Sequence, residues 1–302
     1  METAALEAAL LEHWGLSTVT STSLPGGMNS RTWLIVSGER RFVAKHVTPP
    51  RLADLVAGCA TAEAVSRSGV ATGRPVRTVT GALVAQEQRL TLLEHVPGRE
   101  LDGSTDAEQG WIGRTLAAVH SAGAPARELP GGTFFDLIDP AARDLDEHPW
   151  LTGVVDAALT ETAALPLTCS VLHTDPAPEA FLHDEATGTT GLIDWAGARR
   201  GPVLYDVASV VMYLGGPEAA AQFLAAYAAA GPLDADELRH LDAFRRFRWA
   251  VQATYFAGRL ATNDLTGITG RRDNERGLDD ARRGLAALLP KNVVKVDDIL
   301  DQ

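Results

Sequence analysis

The sequence predicts an α+β chain in two parts, strand-rich up to Val96 and helix-rich from Pro97 onward. Three observations predict it. Residues 20–96 hold short runs of β-branched and aromatic residues parted by glycine and proline turns. The pair Pro97-Gly98 interrupts that pattern. Beyond it apolar residues recur at helical spacing, and only residues 171–195 read again as strands. The boundary is placed between residues 96 and 97.

Composition bounds the function. A chain of 302 residues can bury a sizeable core in one large domain or two lobes. No run of about 18 apolar residues occurs, and the start METAALEAALLEHW is acidic and amphipathic rather than basic with an apolar core, so a soluble cytoplasmic protein with no membrane partner is expected. Cys59 and Cys169 lack CxxC spacing, which argues against structural zinc and a disulfide scaffold. Thirty-nine acidic against 27 basic side chains give a net charge of -12, which disfavours nucleic acid as a partner and favours a cationic one.

In the first part, Leu6, Leu10, Leu11 and Trp14 predict a helix over 3–14 that Gly15 stops. Residues 21–47 read as a strand, a loop and two strands joined at Ser37-Gly38-Glu39. The loop Pro25, Gly26, Gly27, Met28, Asn29 and Ser30 lets backbone N–H groups approach phosphates, because glycine has no side chain to hold them off; it also suits a plain hairpin turn. Lys45 ends the next strand as Val-Ala-Lys, where kinases carry the lysine that pairs nucleotide phosphates; a strand lysine otherwise faces solvent. A helix over 51–67 presents Leu52, Leu55, Val56 and Cys59. Glu63 falls four residues after Cys59 on the same face, where a carboxylate needs a partner, with Lys45 the nearest choice, unless it is solvated at the edge of the stripe. Strands at 83–85 and 90–96 complete this part.

In the second part, Thr105 and Glu108 form a capping-box pattern before a helix that His120 ends. Further helices are expected within 136–159, from 204, and over 217–230, 234–260 and 277–288. Phe244, Phe247, Trp249, Tyr255 and Phe256 read as a core stripe. Asp206 reads as a buried acid that either accepts from loop amides near Asp175 or caps its own helix.

The chemistry sits in VLHTDPAPEAFLHDEATGTTGLIDW, from Val171 to Trp195. It reads as a strand, a loop opened by His173 and Asp175, a hairpin around Gly188 and a strand that delivers Asp194, so two acids arrive at the ends of neighbouring strands. Phosphoryl transfer needs one carboxylate to receive the acceptor proton and another to hold the magnesium that bridges the nucleotide phosphates. Carboxylates that merely cap turns are the alternative.

The order of glycine loop, VAK lysine, helix glutamate, LLEHVPG, WIGRTLAAVH, HTD, IDW and LYDVA resembles the aminoglycoside phosphotransferase family, among the protein-kinase-like small-molecule kinases, from about residue 15 to residue 260. The resemblance implies a bilobal protein-kinase-like fold. A small five-stranded antiparallel lobe with one key helix (1–96) would bind nucleotide, and a larger mainly helical lobe (97–302) would carry catalysis and the acceptor. It implies ATP and Mg2+, Asp175 as catalytic base, Asp194 as catalytic metal ligand, and Lys45 as phosphate lysine paired with Glu63. It further implies phosphate contacts from Gly26, Gly27, Asn29 and Ser30, a hinge of Glu94, His95 and Val96 facing adenine, and Asp206 as a brace under the catalytic loop. The acceptor would be a hydroxyl of a small molecule, aminoglycoside-like or another natural product, with Asp234, Asp236, Glu237 and Asp264 as candidate contacts, or Ser/Thr of a peptide.

One departure stands out. The family pattern HxDxxxxN places a second metal-ligating Asn where this chain has Ala180, and the usual Gly of the motif is Thr174. Three accounts follow: Glu179 supplies the missing carboxylate; Asp194 with water completes a one-ligand site; or the protein is a nucleotide-binding pseudokinase. Retained catalysis is the preferred reading, because Lys45, Glu63, Asp175 and Asp194 are all present.

Overall fold

The computed structural model describes residues 1–25, 27–122, 132–138, 147–163 and 165–288. Helix α1 (Thr3–Trp14) precedes an antiparallel four-stranded sheet in the order β1 (Thr20–Leu24), β2 (Ser30–Ser37), β3 (Arg40–Val47), β4 (Leu90–Glu94), with α2 (Leu52–Ser66) between β3 and β4. Strand alternation assigns the two faces. Trp33, Ile35, Phe42, Ala44, Leu90 and Leu92 point to one side, where Leu6 and Leu10 of α1, one turn apart, close a core. The opposite face packs on α2 through Val47, Leu55, Cys59 and Val84. Lys45, between Ala44 and His46 and opposite Thr91, belongs to this second face and is buried. The fifth strand expected from the family resemblance is reduced to isolated bridges, Pro75 with Leu93 and Ala85 with Leu90.

The helical part comprises α3 (Asp106–Ser121), α4 (Trp150–Ala163), α5 (Leu204–Tyr213), α6 (Ala221–Ala230), α7 (Leu241–Ala261) and α8 (Arg271–Leu288) among the described residues. Its main core joins Ile112, Leu116, Val171, Phe181, Leu192 and the fully buried Phe244 and Phe247 of α7. The capping box ahead of α3 is half realised: the Thr105 hydroxyl accepts from Glu108 N–H at 3.2 Å, while the Glu108 carboxylate turns to Arg99 and the amides of Asp102 and Gly103. Short strands complete the fold: β5 (Arg99–Glu100), β7 (Phe181–Asp184) and β8 (Thr189–Leu192) form one sheet, and β6 (Cys169–Leu172) pairs with β9 (Arg199–Pro202) in another.

That topology corrects one expectation. The strands that lead to Asp175 and Asp194, β6 and β8, lie in different sheets. They are joined by a side chain, with the His173 Nε2 donating to the Ile193 carbonyl at 2.8 Å. Between the lobes, α2 rests on the turn after Asp194. Gly58 is needed there because a Cβ would run into the Trp195 carbonyl, and Arg199 reaches Asp54 of α2 at 2.8 Å.

Candidate active site

The Lys45 ammonium, carried by β3, forms an ion pair with Asp194, which follows β8. The positive charge of Lys45 holds the Asp194 carboxyl below its ordinary range, against the opposing effect of burial. Asp194 itself has a left-handed backbone, φ 69°. Beneath Lys45, the Cys59 thiol donates to the Thr91 hydroxyl at 3.5 Å and burial pushes it up to about 11.

Glu63 does not pair with Lys45. Its carboxylate receives Arg77 Nε and Nη2 at 3.0 and 2.7 Å and Arg67 Nη2 at 3.3 Å. A two-pronged guanidinium fits a carboxylate better than a single ammonium, and the Lys45 ammonium is engaged by Asp194.

The segment that carries Asp175 is braced from below. Asp206, fully buried at the start of α5, accepts from His173 N–H at 2.7 Å and Thr174 N–H at 2.8 Å. Its Oδ2 also lies 3.1 Å from His120 Nε2, and His120 Nδ1 lies 2.7 Å from the Tyr227 hydroxyl. Of the two readings of Asp206, the brace is the one observed, and no cap bond to its own helix is formed. Thr174 carries φ 76°, a region that a β-branched residue rarely enters, and its hydroxyl donates to the Gly197 carbonyl at 2.9 Å.

The Asp175 side chain is 62% exposed. Its Oδ1 receives the Tyr213 hydroxyl and, at 2.8 Å, Nη2 of the buried Arg248. Sequence reasoning overlooked Arg248 and Tyr213. The signal was the position of Arg248, four residues after Phe244 on the apolar face of α7, where an unpaired charge is costly.

Glu179 is exposed on a short 3-10 turn, Pro178–Ala180, and its charge acts on Tyr213. No bond joins it to Asp194 among the described residues. Ala180 packs its methyl against the main core, and its carbonyl accepts from Ile193 N–H at 2.9 Å. Among the described residues, no cluster of three or more His, Cys, Asp or Glu could by itself hold a metal ion.

The glycine loop leans on α7 and the α7–α8 connection. Arg259 Nη1 donates to the Met28 carbonyl at 3.2 Å, the Tyr255 hydroxyl donates to Asn29 Oδ1 at 3.2 Å, and Gly267 packs so closely on Gly27 that a Cβ would strike its carbonyl. Tyr255 thus leaves the core stripe in which the sequence placed it. Ser30 begins β2, and Gly26 lies outside the described residues. At the expected hinge, Glu94 binds Arg74, His95 is pushed toward its neutral form by burial, and Val96 is buried; all three line a hollow with residues 69–74.

The acids proposed for the acceptor are otherwise engaged. Glu237 accepts from Thr168 N–H and hydroxyl at 2.8 and 2.7 Å, Asp234 caps the turn over 235–240, and Asp264 binds Arg259 at 3.1 Å and Thr266 N–H at 2.9 Å. Asp236 is exposed on that same turn.

The fold is that of protein-kinase-like small-molecule kinases. An amicoumacin kinase solved with AMP-PNP, Ca2+ and Ami superposes with TM-score 0.72 at 13% identity, covering 98% of this chain and 96% of that one. A choline kinase, LicA from Streptococcus pneumoniae, gives 0.72 at 16% identity over 94% and 98%. A spectinomycin phosphotransferase in complex with ADP and spectinomycin gives 0.68 at 13% identity over 96% and 99%. No curated protein matches the sequence. The family model described as APH, phosphotransferase enzyme family, matches residues 20–244, which take in the glycine loop, Lys45, the Asp206 brace, Asp175 and Asp194. By that match the chain belongs to the phosphotransferase enzyme family.

Proposed function

We propose that the protein is an ATP-dependent phosphotransferase that moves the γ-phosphate to a hydroxyl of a small molecule or peptide, with residues 1–96 binding nucleotide and 97–302 carrying catalysis. The observation that carries the proposal is the Lys45–Asp194 pair between the sheet and the helical part, together with an exposed carboxylate, Asp175, on the segment that His173 ties to Ile193 next to Asp194. In this reading Lys45 moves from Asp194 onto the phosphates when nucleotide binds, as a preset positive charge facing developing negative charge. Gly27, Asn29 and Ser30, with Gly26, line the phosphate end, and Glu94, His95 and Val96 face adenine. The acceptor oxygen bonds to the γ-phosphorus, the bond to the bridging oxygen breaks, ADP departs, and the acceptor proton passes to Asp175.

Magnesium fits this site with a single protein ligand. That ion keeps several waters and is commonly held by one or two carboxylates plus substrate phosphates. Asp194 supplies one carboxylate; Ala180 has no side-chain oxygen, and Glu179 is exposed with no bond to Asp194 among the described residues. When bound, the metal neutralises phosphate charge. We therefore read Asp194 with water as the metal site, in preference to the compensating Glu179.

Turnover of radiolabelled ATP with and without magnesium tests the proposal. Asp175→Ala is expected to lose about 10² to 10⁴ in rate. Nucleotide binding with no transfer of phosphate to any acceptor or to water, unchanged by Asp175→Ala, would defeat it in favour of a pseudokinase.

A further inference from the structure

Resting on that reading, we infer that Arg248 and Tyr213 position the catalytic carboxylate and select the acceptor. They engage one oxygen of Asp175, leave the other for the incoming hydroxyl, and favour an acceptor with no cationic group beside that hydroxyl.

The geometry gives the positioning. Both donors converge on Asp175 Oδ1, and Arg248 Nη2 also donates to the Tyr213 oxygen at 3.0 Å, so three groups close a triangle. Among the described residues no hydrogen bond reaches Oδ2. The exposed carboxylate therefore presents one free oxygen in one orientation, as proton acceptance from a hydroxyl requires.

The selection follows from how cations are recognised. Proteins hold a cation with an uncompensated carboxylate or against the face of an aromatic ring. At Asp175 and Tyr213 both features are already engaged. The Asp175 charge is matched by Arg248, and the Arg248 guanidinium already lies 5.6 Å from the centroid of the Tyr213 ring. One turn earlier on α7, Arg245 is paired with Asp242 at 2.7 Å and reaches toward Gly216, where Glu218 also lies, so that neighbouring pair adds no uncompensated charge. Among the described residues, Glu179 on the same side is exposed and solvated, and Glu218 lies beside Arg245. The acids that the sequence offered for a cationic acceptor, Glu237 and Asp264, are spent on Thr168 and Arg259. The chemistry left at the mouth of the site suits an uncharged hydroxyl such as that of Ser or Thr within a peptide, and it runs against the overall acidic balance of the chain.

The test is steady-state phosphorylation by Mg-ATP of two probes, choline and N-acetyl-L-serine N-methylamide, with hydrolysis to water as the background. Wild-type enzyme is expected to favour the neutral probe by at least about tenfold in kcat/KM. Arg248→Met should lower kcat for that probe by about 10- to 100-fold with little change in KM, narrow the gap to choline, and be partly rescued by Arg248→Lys. Tyr213→Phe, which removes one donor to Oδ1 without stranding a charge, should give a smaller kcat loss and keeps the test open if Arg248→Met fails to fold. Preference of the wild type for choline overturns the inference alone, as does a kcat and a probe ratio unmoved in these variants while ATP is still turned over. Absence of any phosphate transfer in the wild type, with AMP-PNP still bound in a fluorescence titration, overturns the phosphotransferase reading and this inference with it.

Discussion

Lys45 and Asp194 stand 149 residues apart in sequence and meet as an ion pair between the N-terminal sheet and the hairpin of the helical lobe. Removing the ammonium by Lys45→Met is expected to reduce turnover by about 10²- to 10³-fold, the scale on which single preset charge-stabilising donors act. The pair also has a pH signature. Lys45 depresses the Asp194 carboxyl in the folded state, so its contribution to stability is present above the unfolded value and lost as pH falls through the folded one. Urea unfolding should show the gap between wild type and Lys45→Met to be largest near neutrality and to shrink below about pH 4.

Glu63 gives the opposite prediction. Its partners are Arg77 and Arg67, both more than half exposed at their side chains. Glu63→Ala should change stability by about 1 kcal/mol or less and turnover by less than about threefold. A loss as large as that of Lys45→Met would place Glu63 in the nucleotide site after all.

Asp206, fully buried, holds two backbone N–H groups and a histidine. Asp206→Ala strands all three donors and should destabilise the fold by about 3–5 kcal/mol in urea titrations. Asp206→Asn keeps one acceptor oxygen and should fall between.

Thr174 separates strain from bonding. A β-branched residue at φ 76° costs about 1–2 kcal/mol, and its hydroxyl bond to Gly197 returns about 1. Thr174→Gly removes both and is expected to leave stability within about 1 kcal/mol of wild type, whereas Thr174→Val keeps the strain, loses the bond and should cost about 1–2 kcal/mol. Equal effects of the two changes in thermal unfolding would contradict this division.

Cysteine labelling checks the burial under Lys45. The Cys59 thiol, pushed up to about 11, should resist iodoacetamide at pH 8 in the native protein while the exposed Cys169 reacts slowly, and mass spectrometry should find Cys59 modified only after denaturation.

Much of this molecule could be read from residue spacing. Leu6, Leu10 and Gly15 announce α1, the alternation around Phe42 and Ala44 announces β3, and HTD, IDW and YDVA announce the loop after β6, the hairpin and the Asp206 brace, because each signal is local. What escaped was non-local. The i,i+4 relation of Cys59 and Glu63 was sound, but it cannot reveal that Arg77, fourteen residues later, presents a fork to that carboxylate. The strand pairing around Asp175 and Asp194 was misjudged because β9, which claims β6, lies beyond the hairpin in sequence. Arg248 was hidden by the aromatic residues around it, although a guanidinium at an apolar stripe position is itself a signal that some acid comes to meet it.

Arg259, buried on α7 with bonds to Asn274, Asp264, Thr266 and the Met28 carbonyl, anchors the glycine loop to the far lobe. In the phosphotransferase proposed above, that anchor would hold the loop expected to cover the nucleotide phosphates. Departure of the diphosphate, rather than bond making, then becomes the slow event, and kcat should fall as solvent viscosity rises, with Arg259→Lys losing that dependence.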